Sequence, residues 1–195
     1  MALPAKKEKC TYHDYLNWPE GERREVIDGI PYFMSPAPSR MHQEISGELF
    51  FQIRSYLKGK GCKVYAAPFD VRLYNEDDYQ YDNNKIYNVV QPDITVICDD
   101  SKLDEKGAKG APDFIAEIVS PSSTFLDYVK KLNLYGDYGV KEYWIINPIK
   151  KNILVYRISE TGNYGTPDIY TEGDSIKVSI FENLIIQLES IFSLG

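Results

Sequence analysis

Phe114-Ile115-Ala116-Glu117-Ile118-Val119 is an apolar, β-branched run with one carboxylate embedded in it. It reads as a strand, and its lack of polar alternation makes it a central strand covered on both faces. Upstream, Val89 to Ile97 has the same texture and contains Gln91-Pro92-Asp93. Between the two lies Asp99 to Pro112, charged and glycine-containing, which reads as a surface excursion. Downstream of Pro121, Ser123 to Tyr138 has helix character, with Phe125, Val129, Leu132 and Leu134 on its apolar side and Gly139 as its stop. Glu142 to Ile146 and Ile153 to Ile158 then make a strand pair across the Asn147-Pro148 turn, and the last thirty or so residues read as a weaker hairpin with a short helix.

Towards the N-terminus, Thr11 is a candidate cap for a short helical segment, Tyr12 to Asn17. Glu25 to Ile27, Asp28-Gly29 and Ile30 to Met34 read as a β-hairpin, because Asp-Gly supplies the positive φ angles of a tight turn. From Ser39 to about Lys58, Met41, Ile45, Leu49, Ile53 and Leu57 recur every fourth residue, widened by Phe50 and Tyr56, which predicts one buried helical face. Val64 to Leu73 reads as a strand interrupted by Pro68, and Asn75 to Asn88 as a long polar loop. Strands and helices are interspersed without repeats or low-complexity tracts. The expectation is α/β (α+β): a mixed sheet flanked by helices, in a single domain over residues 1–195 with its core at about 12–156, an N-terminal hairpin and a C-terminal hairpin extension.

Composition narrows the chemistry. Lys6, Lys7 and Lys9 are followed by no apolar stretch, and no run approaches membrane-spanning length, so a cytoplasmic protein that avoids membranes is expected. Cys10, Cys62 and Cys98 are odd in number and widely spaced, which argues against a disulfide framework and a cysteine zinc site. With His13 and His42 as the only histidines, a catalytic metal would be held by oxygen ligands: magnesium or manganese, with no zinc and no organic cofactor. The net charge of -7 opposes sequence-independent nucleic-acid binding, while local lysines at Lys102, Lys106 and Lys109 and at Lys130 and Lys131 favour it.

Glu117 needs a physical explanation, because a carboxylate in a buried strand is costly unless a cation or hydrogen bonds compensate it. Asp93 and Glu117 on neighbouring strands could offer oxygens to one divalent cation and its water, with Lys131 steadying the charge that develops on a phosphate. Asp127, Lys131 and Tyr135 fall at four-residue spacing and share a helix face. The competing reading is structural: Pro-Asp as turn chemistry and Glu117 with Lys131 as a buried ion pair. Glu25, His42 and Asp70 are supporting candidates; Glu25 reads alternatively as a hairpin salt bridge with Arg23 or Arg24, and His42 as a core or boundary residue. Ser120, Ser122 and Ser123 lack a nucleophile elbow and read as capping residues. Trp144 and the tyrosines could stack on bases, although strand-spaced aromatics more often pack a core.

In order along about Tyr12 to Tyr156, Glu25-Val26-Ile27-Asp28-Gly29, the Met34-Ser35-Pro36 stretch, His42 opening a helix, Gln91-Pro92-Asp93, Glu117-Ile118-Val119-Ser120-Pro121-Ser122, Asp127 with Lys131 and Tyr135, and Gly139-Val140-Lys141-Glu142-Tyr143-Trp144 together resemble the Uma-type putative restriction endonuclease family. That resemblance implies a restriction-endonuclease-like PD-(D/E)xK fold and metal-dependent phosphodiester hydrolysis. By it Asp93 and Glu117 take the roles of the two acids and metal ligands. It names no particular substrate; nucleic acid, DNA in the first place, is the expected partner, and a homodimer is expected from the need to cut two strands. The sequence departs from the superfamily pattern at Val119, where a lysine would stand, so the resemblance places the ammonium on Lys131. Two other classes compete: a nuclease-fold binding or assembly module without catalysis, and metal-independent glycoside hydrolysis by a carboxylate pair.

Overall fold

The computed structural model describes residues 9–19, 21–34, 37–74, 82–120 and 125–193. Two six-stranded sheets and a two-stranded hairpin form the frame. The first sheet is ordered β2-β1-β5-β4-β8-β7, built from β1 (Arg24–Ile27), β2 (Ile30–Phe33), β4 (Val71–Leu73), β5 (Asn88–Val90), β7 (Leu103–Asp104) and β8 (Gly107–Lys109). The second is ordered β12-β11-β10-β9-β6-β3, from β3 (Lys63–Ala66), β6 (Ile94–Ile97), β9 (Phe114–Ile118), β10 (Glu142–Asn147), β11 (Asn152–Arg157) and β12 (Asp168–Thr171). β13 (Ser175–Lys177) and β14 (Ile185–Gln187) form the C-terminal hairpin.

The short helix α1 (Tyr12–Leu16) starts at Thr11, whose side chain forms a reciprocal capping box with Asp14. Asp28 and Gly29 both have positive φ and close the β1–β2 hairpin as the sequence predicts. Helix α2 (Arg40–Leu57) is capped by Ser39, which accepts a hydrogen bond from the His42 amide. Its Ile45, Leu49, Ile53 and Leu57 are buried against one face of the second sheet, together with the C-terminal hairpin and helix α4 (Leu188–Phe192). Met41 departs from that stripe: it lies in the first turn of the helix and is half exposed.

The central position of β9 between β6 and β10 accounts for its unbroken apolarity, since all five of its residues are buried. Period-two alternation then sorts its side chains. Phe114, Ala116 and Ile118 face the layer of α2, whereas Ile115 and Val119 face a second core that also contains Ile27, Val71, Leu73, Val90 and Ala108 of the first sheet. Glu117, between Ile115 and Val119 in that alternation, is therefore sent into the space between the two sheets.

Three expectations change at this level. Val64 to Leu73 and Val89 to Ile97 are each two short strands in different sheets, not one strand. The chain crosses from one sheet to the other at Ala67-Pro68, which is a cis peptide, and crosses back at Gln91-Pro92-Asp93. Proline has no N–H to give a ladder, so both prolines mark the sites where pairing ends. The excursion from Asp99 to Pro112 is likewise only partly a surface loop, because β7 and β8 extend the first sheet and Ala108 is fully buried.

The third change is covalent. Cys62 and Cys98 are joined by a disulfide, against the expectation from their spacing. The antiparallel register Lys63↔Ile97 places the residues one step further out, Cys62 and Cys98, opposite one another on β3 and β6. A sequence separation of 36 is erased by strand pairing, leaving Cys10 as the free thiol. Ser35, Pro36, the stretch 75–81 of the expected loop, and Ser122 and Ser123 lie outside the described residues. Among the described residues no helix is long and apolar enough to cross a membrane.

Candidate functional site

Four elements converge between the sheets. The first is the crossing segment Gln91-Pro92-Asp93. The ladder Ile94↔Ala116 stops one step before it, so Asp93 falls across from Glu117 where β6 and β9 begin to diverge. Ladder bonding has ended there, and the Ile118 amide donates instead to Asp93 Oδ2 at 2.8 Å. The second element is β9 with Glu117, and the third is β1, on which Glu25 and Ile27 point inward while Val26 packs outward against Tyr12 and Val89.

The fourth is the helix after β9. It opens with a π-helical turn, Leu126–Lys131, that continues into α3 (Leu132–Asp137). The expected apolar side is corrected here: Phe125 and Val129 are exposed, and the inward face instead carries Asp127, Lys131, Leu134 and Tyr135. The four-residue spacing of Asp127, Lys131 and Tyr135 carries all three on that inward face.

Lys131 is the hub of this cluster. Its Nζ lies 2.8 Å from Glu117 Oε1, 2.9 Å from Glu25 Oε1 and 3.7 Å from Asp127 Oδ1. Tyr135 donates its hydroxyl proton to Glu117 Oε1 at 2.8 Å, and the Gln91 amide donates to Glu25 Oε1 at 2.8 Å. Glu25, Glu117, Asp127 and Lys131 have side chains at most 5% exposed, whereas Asp93 and His42 reach 19% and 14%, so solvent enters from the Asp93 side. His42 Nε2 sits 3.1 Å from Asp93 Oδ2. The sequence thus brings Asp93, Glu117, Lys131, Glu25, His42, Asp127 and Tyr135 together.

Asp70 takes a different place. Its Oδ1 accepts from Tyr15 OH at 2.9 Å and from Gln91 Nε2 at 2.8 Å, so among the described residues Gln91 is its link to the cluster. The alternative pairing of Glu25 with Arg23 or Arg24 is not observed; Arg24 pairs with Glu22 and Arg23 binds the Gln91 side chain. Trp144 is fully buried in the α2 layer and donates Nε1–H to Glu142, so it is a core residue on the far face of the sheet. Gln91 and Arg23 are what residue-by-residue reading missed as partners. The available signal was Gln91 itself, a polar side chain between Val90 and Pro92 where a buried strand would carry an apolar one.

The electrostatics follow from counting charges. Burial drives the Glu117 carboxyl well above the ordinary glutamate value; Lys131 opposes that shift, and Asp127, Asp93 and Glu25 reinforce it. Burial acts to neutralise Lys131, but Glu117, Glu25 and Asp127 overcome it and hold its pKa well above the ordinary lysine value. Burial and the neighbouring acids thus favour the neutral form of Glu117, while the same acids hold Lys131 as a charged ammonium. Burial first, then Glu117, also pushes the Tyr135 hydroxyl up, so it stays a donor. At His42 burial lowers the pKa, but the hydrogen bond and charge of Asp93 prevail and the net shift is upward.

Asp93 Oδ1 and Glu117 Oε2 accept no hydrogen bond among the described residues, in contrast to their partner oxygens. No group of three or more His, Cys, Asp or Glu among the described residues is disposed to enclose a metal ion. Oxygen donors of this kind are those that a hard cation keeping most of its water would use, and no closed cage is present among the described residues.

A solved structure of a "putative nuclease belonging to DUF820" from Anabaena variabilis has the same fold, with a TM-score of 0.70 over 94% of this chain and 97% of that one at 22% sequence identity. The protein is thus an α+β protein of nuclease-like fold with an acid–lysine cluster between its sheets. The chain belongs to the Uma2 family, described as "Putative restriction endonuclease", whose model matches residues 12–189. An uncharacterised protein of Synechocystis sp. is 24% identical over 159 residues, covering 80% of this chain and 78% of that protein.

Proposed function

We propose that the chain hydrolyses phosphodiester bonds in nucleic acid, DNA in the first place, using a divalent cation held by Asp93 and Glu117. The observation that carries this reading is the charge imbalance of the cluster: Asp93, Glu117, Glu25 and Asp127 face one ammonium, and one oxygen of each of the two central acids is without a hydrogen bond among the described residues. Mg²⁺ or Mn²⁺ bound there would supply a polarised water and a positive charge beside the phosphate. Lys131, fixed by Glu25 and Glu117, keeps its ammonium at the carboxylates without a mobile search and offsets charge growing on the non-bridging oxygens. Tyr135 orients Glu117 through Oε1 and leaves Oε2 for the cation. His42 and the Ile118 amide do the same for Asp93 through Oδ2.

One observation favours a second reading, a nuclease-fold module that binds without cutting: Lys131 is 4% exposed and engaged on several sides, as a purely structural ion network would be. The deciding experiment incubates supercoiled plasmid, linear duplex, single-stranded DNA and RNA with the full chain in Mg²⁺ or Mn²⁺. Cleavage of at least one, abolished by EDTA and in both Asp93→Ala and Glu117→Gln, is expected. Survival of every substrate in Mn²⁺ would remove the hydrolytic reading and leave the binding module.

A further inference from the structure

Arg23 lies just before β1, and period-two alternation places it on the same inward side as Glu25 and Ile27. Its guanidinium is half-buried and held in place, with Nε at 3.2 Å and Nη2 at 2.9 Å from the side-chain oxygen of Gln91. That oxygen is itself aimed: Gln91 Nε2 donates to Asp70 Oδ1 at 2.8 Å and to Tyr15 OH at 3.0 Å, which turns the carbonyl end of the amide towards Arg23. The Gln91 backbone amide meanwhile donates to Glu25 Oε1, so one residue ties the guanidinium to the acid–lysine cluster.

The acceptor is unusual for an arginine in this molecule. Arg24, Arg40, Arg72 and Arg157 each pair with a carboxylate and Arg54 is an exposed arginine without an ion pair among the described residues, whereas Arg23 is half-buried, has no ion pair among them and rests on a neutral amide. A guanidinium in a fold's interior normally meets a carboxylate that cancels its charge. One positioned by an amide keeps its full charge and a planar edge of N–H donors for an anion from outside. The surrounding cluster has a use for such a group, since Asp93, Glu117, Glu25 and Asp127 would otherwise repel an approaching phosphodiester.

We propose that Arg23, positioned by Gln91, is a phosphate-binding residue that seats the nucleic-acid backbone at this site. The inference rests on the phosphodiesterase reading and adds a contact to it. Asp70 and Tyr15 are positioning residues in this account, acting through the Gln91 amide and not on the substrate.

The test measures binding, separately from cleavage, by fluorescence anisotropy of fluorescein-labelled duplex and single-stranded DNA across a salt series with Ca²⁺ present. Arg23→Met keeps the apolar stem and removes the charge; Arg54→Met, at an exposed arginine about 18 Å along α2 from His42, is the control. Arg23→Met is expected to bind about tenfold to a hundredfold more weakly, with a log–log salt slope shallower by about 0.9 on duplex, while Arg54→Met matches wild type. Arg23→Lys should restore the slope and only part of the affinity, because the planar fork on Gln91 is lost. If wild type binds and Arg23→Met has the same affinity and slope with a lower melting temperature, Arg23 is a structural clamp and the inference falls while the nuclease reading stands. If wild type binds neither DNA, the inference falls, and the nuclease reading falls with it when plasmid, duplex, single-stranded DNA and RNA also all survive Mn²⁺.

Discussion

Replacing Lys131 by methionine isolates the ammonium from the side chain's bulk. In the folded protein Lys131 neutralises part of the charge on Glu117 and Glu25 at 2.8 and 2.9 Å, with both carboxylates nearly inaccessible to water. Removing one partner of a buried pair costs about 3–5 kcal/mol, because the remaining carboxylates are left without their cation. For a chain of this length that corresponds to a fall in Tm of roughly 6–20 °C. Proton uptake by the remaining carboxylates trims the loss, and Glu117→Gln in the same chain should trim it further, with a coupling of about 1–3 kcal/mol between the two sites. Urea unfolding at pH 7 gives the stabilities and, well below the melting range of the variant, cleavage in Mn²⁺ gives the catalytic effect, a drop of about 10²–10³-fold. A Lys131→Met chain within about 0.5 kcal/mol of wild type and with unchanged cleavage would show that the ammonium is neither the counter-ion nor the electrostatic catalyst argued for here.

Other outcomes follow from single features. Arg72 is nearly buried and pairs with Asp104; burial alone would raise the Asp104 pKa, but the hydrogen bonds from Arg72 and the Lys106 amide bring it below the ordinary aspartate value. A depressed carboxylate stabilises the fold above its unfolded value of about 3.9, and that contribution is lost as pH falls from there through the folded value; Asp104→Asn should therefore flatten the stability–pH curve below pH 4, checked by urea melts across an acid series. Reducing Cys62–Cys98, or replacing both by serine, should lower stability by about 2–4 kcal/mol, read as a Tm difference with and without dithiothreitol that is absent in the double serine variant. Gly107 has φ +121°, and an added Cβ would lie 2.2 Å from the Asp70 carbonyl oxygen, so Gly107→Ala should cost 2 kcal/mol or more, whereas Gly61→Ala, with open space around it, should cost little.

Periodicity and turn chemistry carried the local structure well. The four-residue stripe of α2, the Asp28-Gly29 hairpin and the burial of β9 were all legible because each depends on neighbours in sequence. The division into two sheets was not, since Pro68 and Pro92 announce a break in pairing but not that the chain leaves for another layer. The disulfide was hidden for a similar reason: spacing in sequence is silent about register, and the register alone sets Cys62 against Cys98. In the site, Glu117 was visible as a carboxylate in an apolar strand and Lys131 as a residue on the following helix, so their meeting was legible. The π-helical turn was not, nor was the exposure of Phe125 and Val129, although the shared face of Asp127, Lys131 and Tyr135 was. Gln91 and Arg23 stayed obscure because their role depends on a side-chain amide bridging residues from Tyr15 to Asp70, a set with no common spacing.

The central claim is that Asp93 and Glu117 share a hard cation in front of Lys131. Its most direct test is a crystal of the full chain soaked in Mn²⁺, with anomalous scattering measured at the manganese edge. The account predicts one peak within bonding distance of Asp93 Oδ1 and Glu117 Oε2, lost in crystals of Asp93→Ala. A peak elsewhere, or none while both carboxylates keep their present hydrogen bonds, would contradict it.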